Sequence, residues 1–258
     1  MSRTYLVTGS ASGIGKATAD LLSNRGDRVI GADLHDAEIL VDLSSAEGRA
    51  ELIARAGELS GGILDGVAAI AGIASPIPAT ASVNYFGAVA TLESSLPLLA
   101  KSPAPRAVTV SSISSLQPSD NALVELLLAN NEPDALARAE VLGAGGDGNQ
   151  IYASSKQALS RWLRRTAPLE QWAGAGVTLN AVGPGVVITP MTAPLMDTPE
   201  ALAGLMSMVP MPLNGPVKPE KVADLLGWLI SESNTHVTGQ IVFIDGGYDA
   251  LTRSDGVW

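Results

Sequence analysis

Cysteine is absent from the 258 residues, which excludes disulfides, thiolate nucleophiles and thiolate metal ligands. Histidine occurs only as His35 and His236, isolated in sequence, so no metal site is expected and both read as surface residues. Basic charge is in deficit, with 16 Lys+Arg against 26 Asp+Glu and a formal net charge of −10. Such a surface repels phosphate backbones and anionic lipid, so nucleic acid and membrane surfaces are not expected partners. No apolar run reaches the ~18 residues of a membrane span; the longest, Gly66–Ala74, is bounded by Asp65. The apolar segment at the N-terminus is too short for a signal peptide. With the missing cysteine, this leads to the expectation of a cytoplasmic protein. Internal repeats and low-complexity tracts are also lacking.

What remains is a chain that is 46% hydrophobic, enough for one substantial core. Short apolar runs at Tyr5–Thr8, Val29–Ala32, Glu38–Val41, Val67–Ile70, Ala107–Ser111, Val177–Ala181 and Ile241–Ile244 read as strands. Between them lie helical stretches over Gly13–Asn24, Ser44–Leu59, Val83–Ala100, Ile151–Trp172 and Val222–Ile230. Ser44 or Ser45 is placed to cap the second helix, and Gly26 to terminate the first. Strands buried on both faces and alternating with helices predict an α/β fold: a doubly wound parallel sheet, three layers α/β/α, in a single domain. Two stretches interrupt the alternation. One is an insertion, 116–150, with helical runs at Ala122–Leu128 and Asp134–Leu142. The other is a long loop, 186–218, rich in proline and methionine, of the kind that forms lids. Its methionines suit either core filling or a pliable substrate wall.

Thr8-Gly9-Ser10-Ala11-Ser12-Gly13-Ile14-Gly15 lies between the first strand and the first helix. Glycines there permit a sharp turn and bring backbone N–H groups to a helix N-terminus, where the dipole favours a pyrophosphate. Asp33 ends the second strand, 18 residues after Gly15. A carboxylate at that point accepts the hydroxyls of an adenosine ribose and repels a 2′-phosphate. No Arg or Lys between Gly9 and Gly15 offers that phosphate a partner, so NAD is expected over NADP. Further on, Tyr152 and Lys156 stand at i and i+4, on one helix face. Ser112 follows the fifth strand at the carboxyl edge of the sheet, where ligands of open α/β sheets bind.

Taken together, these motifs resemble the classical short-chain dehydrogenase/reductase family over essentially the whole chain, and within it the bacterial 3α-hydroxysteroid dehydrogenase/carbonyl reductase subgroup. The 40 positions from Ser112 to Tyr152, where many members have about a dozen, contribute to the second resemblance. The resemblance implies Ser112, Tyr152 and Lys156 as catalytic residues, with Asn84 as a link in a proton relay. It implies Gly9, Ser12, Gly13, Ile14 and Gly15 at the cofactor's pyrophosphate. Asp33 and Asp42, with their neighbours Leu34 and Leu43, belong to its adenosine end. Ala71, Gly72, Pro184, Gly185, Val187 and Thr189 complete the cofactor site with Tyr152 and Lys156, and Asn180 belongs to the Pro-Gly segment. Ala69 and Ile70 replace two asparagines of the family pattern, which puts local bracing of the sheet in question. A ketone or secondary alcohol is the implied substrate, bulky and hydrophobic, with smaller aryl or amino alcohols or cyclic ketones as the alternative. A catalytically silent NAD-binding regulator is the alternative of another class.

Physically, the Lys156 ammonium and an oxidised nicotinamide are expected to draw the Tyr152 phenol below its ordinary pKa of ~10. A homodimer or homotetramer is implied. The usual helix pair, Val83–Ala100 with Ile151–Trp172, is expected to be obstructed by the insertion, leaving Val222–Ile230 and Ile241–Ile244 for a homodimer contact. Alternatively, the insertion serves as a lid over the substrate.

Overall fold

The computed structural model describes residues 2–257. Seven parallel strands form one sheet in the order β3-β2-β1-β4-β5-β6-β7. They are β1 Thr4–Thr8, β2 Arg28–Asp33, β3 Ile39–Leu40, β4 Gly66–Ala69, β5 Arg106–Val110, β6 Thr178–Pro184 and β7 Ile241–Ile244. The helices are α1 Gly13–Asn24, α2 Ala46–Leu59, α3 Ala79–Ala81, α4 Ala88–Ser94, α5 Leu96–Leu99 and α6 Asn121–Leu128. They continue with α7 Glu132–Ala144, α8 Asn149–Thr166, α9 Pro199–Met208, α10 Pro219–Leu229 and α11 Tyr248–Arg253. The expected α/β/α layering is present. Alternate residues of β1 serve opposite faces. Leu6 packs with Leu52, Tyr85, Leu92 and Leu159 on one side, while Tyr5 and Val7 pack with Leu22, Leu226 and Ile230 on the other.

Chain direction reverses at β1: the chain winds outward to β3, then returns to β4 and continues to β7. The carboxyl ends of β1 and β4 therefore diverge into a crevice, the usual ligand position in such sheets. The asparagines lacking at the end of β4 are compensated by hydroxyls. Thr8 Oγ1 accepts from the amides of Ile70 and Ala71 at 3.0 and 3.1 Å, and Thr109 Oγ1 donates to the Ala69 carbonyl at 2.8 Å.

The insertion is a helical pair packed on its own subunit. Asp120 caps α6 through Leu123 N and receives Arg138 of α7 on both carboxylate oxygens. Asn131 caps α7. Glu132 at its start takes Arg49 of α2 in an ion pair of 2.8 Å. Leu123, Val124, Leu127, Ala135 and Leu142 enter the main core; each leucine so buried contributes about 1.5–3 kcal/mol. The segment from Ile151 to Leu159 on α8 is consequently covered within one chain, Tyr152 and Gln157 alone remaining half-buried.

Several local readings change, among them the helix expected over Val83–Ala100, which is broken into a π-helical turn at Ser82–Gly87, α4 and α5. The 186–218 loop is not irregular throughout: it carries a 3₁₀ turn at Ala193–Leu195 and α9, capped by Thr198 with Pro199 in its first turn. The strand expected over Glu38–Val41 shortens to Ile39–Leu40, and the helix expected to Trp172 stops at Thr166. Pro168 follows at once and cannot continue the hydrogen-bond ladder. Ser45, not Ser44, caps α2, accepting from Gly48 N at 3.0 Å.

Candidate active site

A cleft of about 360 Å³ opens at the crevice between β1 and β4, running from Asp33 to Tyr152. Gly9 and Gly13 hold left-handed φ values of 71° and 53°, a region that side chains disfavour. At Gly15 the constraint is distance: a Cβ there would lie 2.0 Å from the Gly9 carbonyl oxygen. The turn thus brings α1 directly against the end of β1. Ser12 at its N-cap makes no side-chain cap bond, and the first-turn amides of Gly13, Ile14 and Gly15, residues that line the cleft, have no hydrogen-bond partner among the described residues. Those free donors at a helix N-terminus fit a pyrophosphate.

Asp33 stands at the adjoining end. Its Oδ2 accepts from Ala11 N at 3.0 Å and its Oδ1 from Leu34 N at 2.7 Å. Besides facing the cleft, this carboxylate therefore fixes the glycine turn, a role that motif spacing did not reveal. Asp42 lies on the rim with Oδ1 on Ser44 N. Leu34 is 54% exposed, and Leu43 and Val41 complete a flat apolar wall. The residues present fit an adenine dinucleotide.

At the other end, Ser112, Tyr152 and Lys156 converge. Ser112 sits in the turn after β5, its Oγ accepting from Ser114 N at 3.1 Å, and its side chain acts on the Tyr152 hydroxyl so as to lower the phenol's pKa. Ser111, by contrast, turns away to Ser160, and Ser115 bonds back to the Ser112 carbonyl; of the serines crowding this turn, only Ser111 and Ser112 reach the cleft. Lys156 is 4% exposed; its Nζ donates to the Val110 carbonyl at 2.8 Å and lies 5.8 Å from the Tyr152 ring centroid. Burial lowers the Lys156 pKa from its ordinary 10.5 to about 8.

The expectation for Tyr152 needs correction in the protein as it stands. Its pKa is raised, because desolvation outweighs the lowering by Ser112. The Lys156 ammonium is directed at the Val110 carbonyl, not at the phenol, and so does not offset that desolvation.

Other expected site residues divide between wall and frame. Ala71, Gly72, Pro184, Gly185, Val187 and Thr189 line the cleft. Asn84 and Asn180 do not. Asn84 lies in a π-helical turn, Ser82–Gly87, and is fully buried. Its amide clasps Ile73 through both backbone groups at 2.9 Å and approaches Ser155 Oγ at 3.3 Å. No hydrogen bond joins it to Lys156 among the described residues. Asn180 ties β6 to the loop before β7, through Val237 O and Gln240 N. No residue of the insertion lines the cleft; the wall uses Pro190, Met191 and Thr192 from the loop after β6. Ile73 and Val83, also in the wall, were missed because nothing in an apolar run marks which side chain faces a ligand. No group of three or more His, Asp or Glu suited to a metal occurs among the described residues, and both histidines are exposed.

Comparison with known proteins agrees with this geometry. The family model described as short chain dehydrogenase matches residues 3–124, and one described as enoyl-(acyl carrier protein) reductase matches residues 136–249. The chain belongs to the short-chain dehydrogenase/reductase family and is an NAD(P)-dependent oxidoreductase. It is 36% identical to the 3-alpha-hydroxysteroid dehydrogenase/carbonyl reductase of Comamonas testosteroni, over 96% of this chain and 97% of that one. The crystal structure of the 3-alpha-hydroxysteroid dehydrogenase from Pseudomonas sp. B-0831 complexed with NADH superposes with a TM-score of 0.89 at 36% identity. That match covers 98% of this chain and 99% of the other. The cis-4-hydroxycyclohexanecarboxylate dehydrogenase of Sinomonas cyclohexanicum is 31% identical over 96% of this chain and 97% of its own.

Proposed function

We propose that the protein interconverts a bulky, uncharged, hydrophobic ketone and its secondary alcohol, with NAD(H) in preference to NADP(H). The observation that carries this reading is the convergence of Ser112, Tyr152 and Lys156 on a cleft whose far end bears Asp33. When bound, the nicotinamide supplies or takes up the hydride. Ser112 Oγ and Tyr152 Oη hydrogen-bond the substrate oxygen, where negative charge grows during reduction, and the phenol gives it a proton. Lys156, whose ammonium donates to the Val110 carbonyl, would hold the cofactor's ribose when the dinucleotide is bound. Asn84 acts at one remove, by fixing the Ile73 backbone at the cleft wall. Apart from Asp33 and Asp42 at the adenosine end, the cleft wall carries no charged side chain but Lys156, which favours a neutral substrate. The relation to a cyclohexane-acid dehydrogenase supports smaller cyclic ketones as the second reading. A silent NAD-binding regulator is disfavoured, since it has no need of a Ser–Tyr–Lys set.

Cofactor preference tests the Asp33 assignment. Asp33→Ala removes the repulsion of a 2′-phosphate and also releases Ala11 N. The kcat/KM ratio for NADH over NADPH is expected to fall at least tenfold, mainly through weaker NADH use. An unchanged ratio contradicts the assignment.

For assembly we infer a homodimer through β7 and α10. The insertion packs on α8, whereas β7 is an edge strand with four half-buried apolar residues and Trp228 on α10 is 45% exposed. Unpaired apolar edges favour association. Sedimentation at micromolar concentration is expected to give a dimer that Trp228→Glu weakens; a monomeric wild-type protein contradicts this contact.

A further inference from the structure

The loop from Val186 to Met211 leaves the nicotinamide end of the cleft and returns to it. Its outward part is loosely held. No residue of α9 is buried, and Met208 is 71% exposed. At its base the chain is tight. Met211 is 6% exposed and packs with Ile113, Val186, Val209 and Tyr248. Its Sδ accepts the Val186 N–H at 3.3 Å, closing the loop across 25 residues. The same thioether lies against Gly185, where a Cβ would stand 2.8 Å from both Sδ and Cε. On its other side, the Met211 Cβ would be 3.0 Å from a Cβ at Gly246, in the turn after β7.

Two polar groups of this step are taken by backbone. Gly185 N donates to Ile244 O at 3.1 Å, and Val186 O accepts from Val217 N at 2.9 Å. The Val187 carbonyl accepts from the Thr192 hydroxyl, and the Val186 N–H depends on the Met211 side chain, which offers a thioether, a weak acceptor. Gly185 and Val187, which flank it, both line the cleft.

We propose that Met211 is a positioning residue that clasps the base of this loop and sets the Gly185–Val187 backbone in the conformation that receives the nicotinamide end of the cofactor. Van der Waals contact with Gly185 fixes where that backbone lies, and the N–H···S bond fixes its rotation. The weakness of the bond keeps the loop able to open without dismantling the core. A buried N–H left without acceptor favours rearrangement, and the protein then spends part of its time in a form unfit for cofactor. Apparent affinity drops in proportion to that fraction.

The inference rests on the nicotinamide reading above, so its test carries one readout that needs no cofactor. Met211→Leu preserves volume and removes the acceptor, a swap that cores tolerate. Amide hydrogen exchange in the unliganded protein is expected to speed about tenfold at Val186 and to stay unchanged in β5. Fluorescence titration is expected to show NADH binding about tenfold weaker, and steady-state kinetics a similar rise in cofactor KM with kcat within about twofold. Unaltered exchange at Val186 overturns the clasp. Faster exchange with wild-type NADH affinity keeps the contact but overturns its role in positioning. Failure of the wild-type protein to bind NADH or NADPH overturns the nicotinamide reading itself, and with it the role assigned to Met211, whatever the exchange shows. Should Met211→Leu lower the midpoint of thermal unfolding by more than about 10 °C, Met211 is a core residue and the proposal is overturned.

Discussion

Replacing Tyr152 by Phe is expected to lower kcat by at least about 100-fold while leaving NADH affinity within about threefold. General acid catalysis is worth roughly 10²–10⁴, and the phenol stands beside Ser112 at this end of the cleft. The substitution removes one oxygen, at the Ser112 end of the cleft, and leaves the ring in place. Ser112 Oγ retains its bond from Ser114 N, so the turn after β5 keeps its shape. Stopped-flow turnover with NADH, paired with equilibrium titration of the cofactor, separates the two effects. Near-wild-type turnover removes Tyr152 from the mechanism.

Lys156→Met is expected to act in opposite directions on activity and stability. Activity falls by about 100-fold or more in kcat/KM, since both the charge near the phenol and the contact to the ribose are lost. Stability rises at neutral pH. The Lys156 pKa is lowered on folding from 10.5 to about 8, so the unfolded chain binds more protons between these values and stability increases with pH across that window. The penalty is fully present below pH 8 and gone above pH 10.5. It amounts to about 3 kcal/mol, offset in part by the bond to the Val110 carbonyl, worth about 1 kcal/mol. Met removes both. Denaturant titration at pH 7 is expected to show a variant more stable by about 2 kcal/mol, with the advantage vanishing near pH 10.5. A variant less stable at pH 7 contradicts the placement of a strained ammonium here. For the wild-type protein, the same titration of Lys156 makes cofactor binding weaken as pH rises beyond about 8.

Lys156 is a residue type that an ordinary core does not choose: an ammonium buried to 4% exposure at the cost of desolvation. The glycine turn and Asp33 stood out by their strand–turn–helix placement, and the Tyr152–Lys156 spacing, common in ordinary helices, became a signal only in combination with them. The bounds of α1 and β7 followed from apolar periodicity, which burial on the sheet enforces. Other features were missed, for different reasons. The π-helical turn at Ser82–Gly87 depends on Asn84 binding the Ile73 backbone, a contact across 11 residues. The direction of the Lys156 ammonium depends on the Val110 carbonyl, 46 residues away. Helix α9 did carry a local signal, Thr198-Pro199-Glu200, a capping residue followed by proline in the first turn. It was overlooked because α9 buries no face and so shows no stripe, and prolines on both sides suggested loop. The substitution of asparagines by Ala69 and Ile70 was visible, but not its remedy, since the hydroxyls of Thr8 and Thr109 reach across strands to supply the bracing.

The most direct test is a comparison of kcat/KM for one uncharged polycyclic ketone with NADH and with NADPH, followed at the nicotinamide absorbance. Turnover with NADH at least tenfold more efficient than with NADPH is the expected result, from a Ser–Tyr–Lys site served by Asp33 at the ribose. Absence of turnover across polycyclic and monocyclic ketones, or a preference for NADPH, contradicts it.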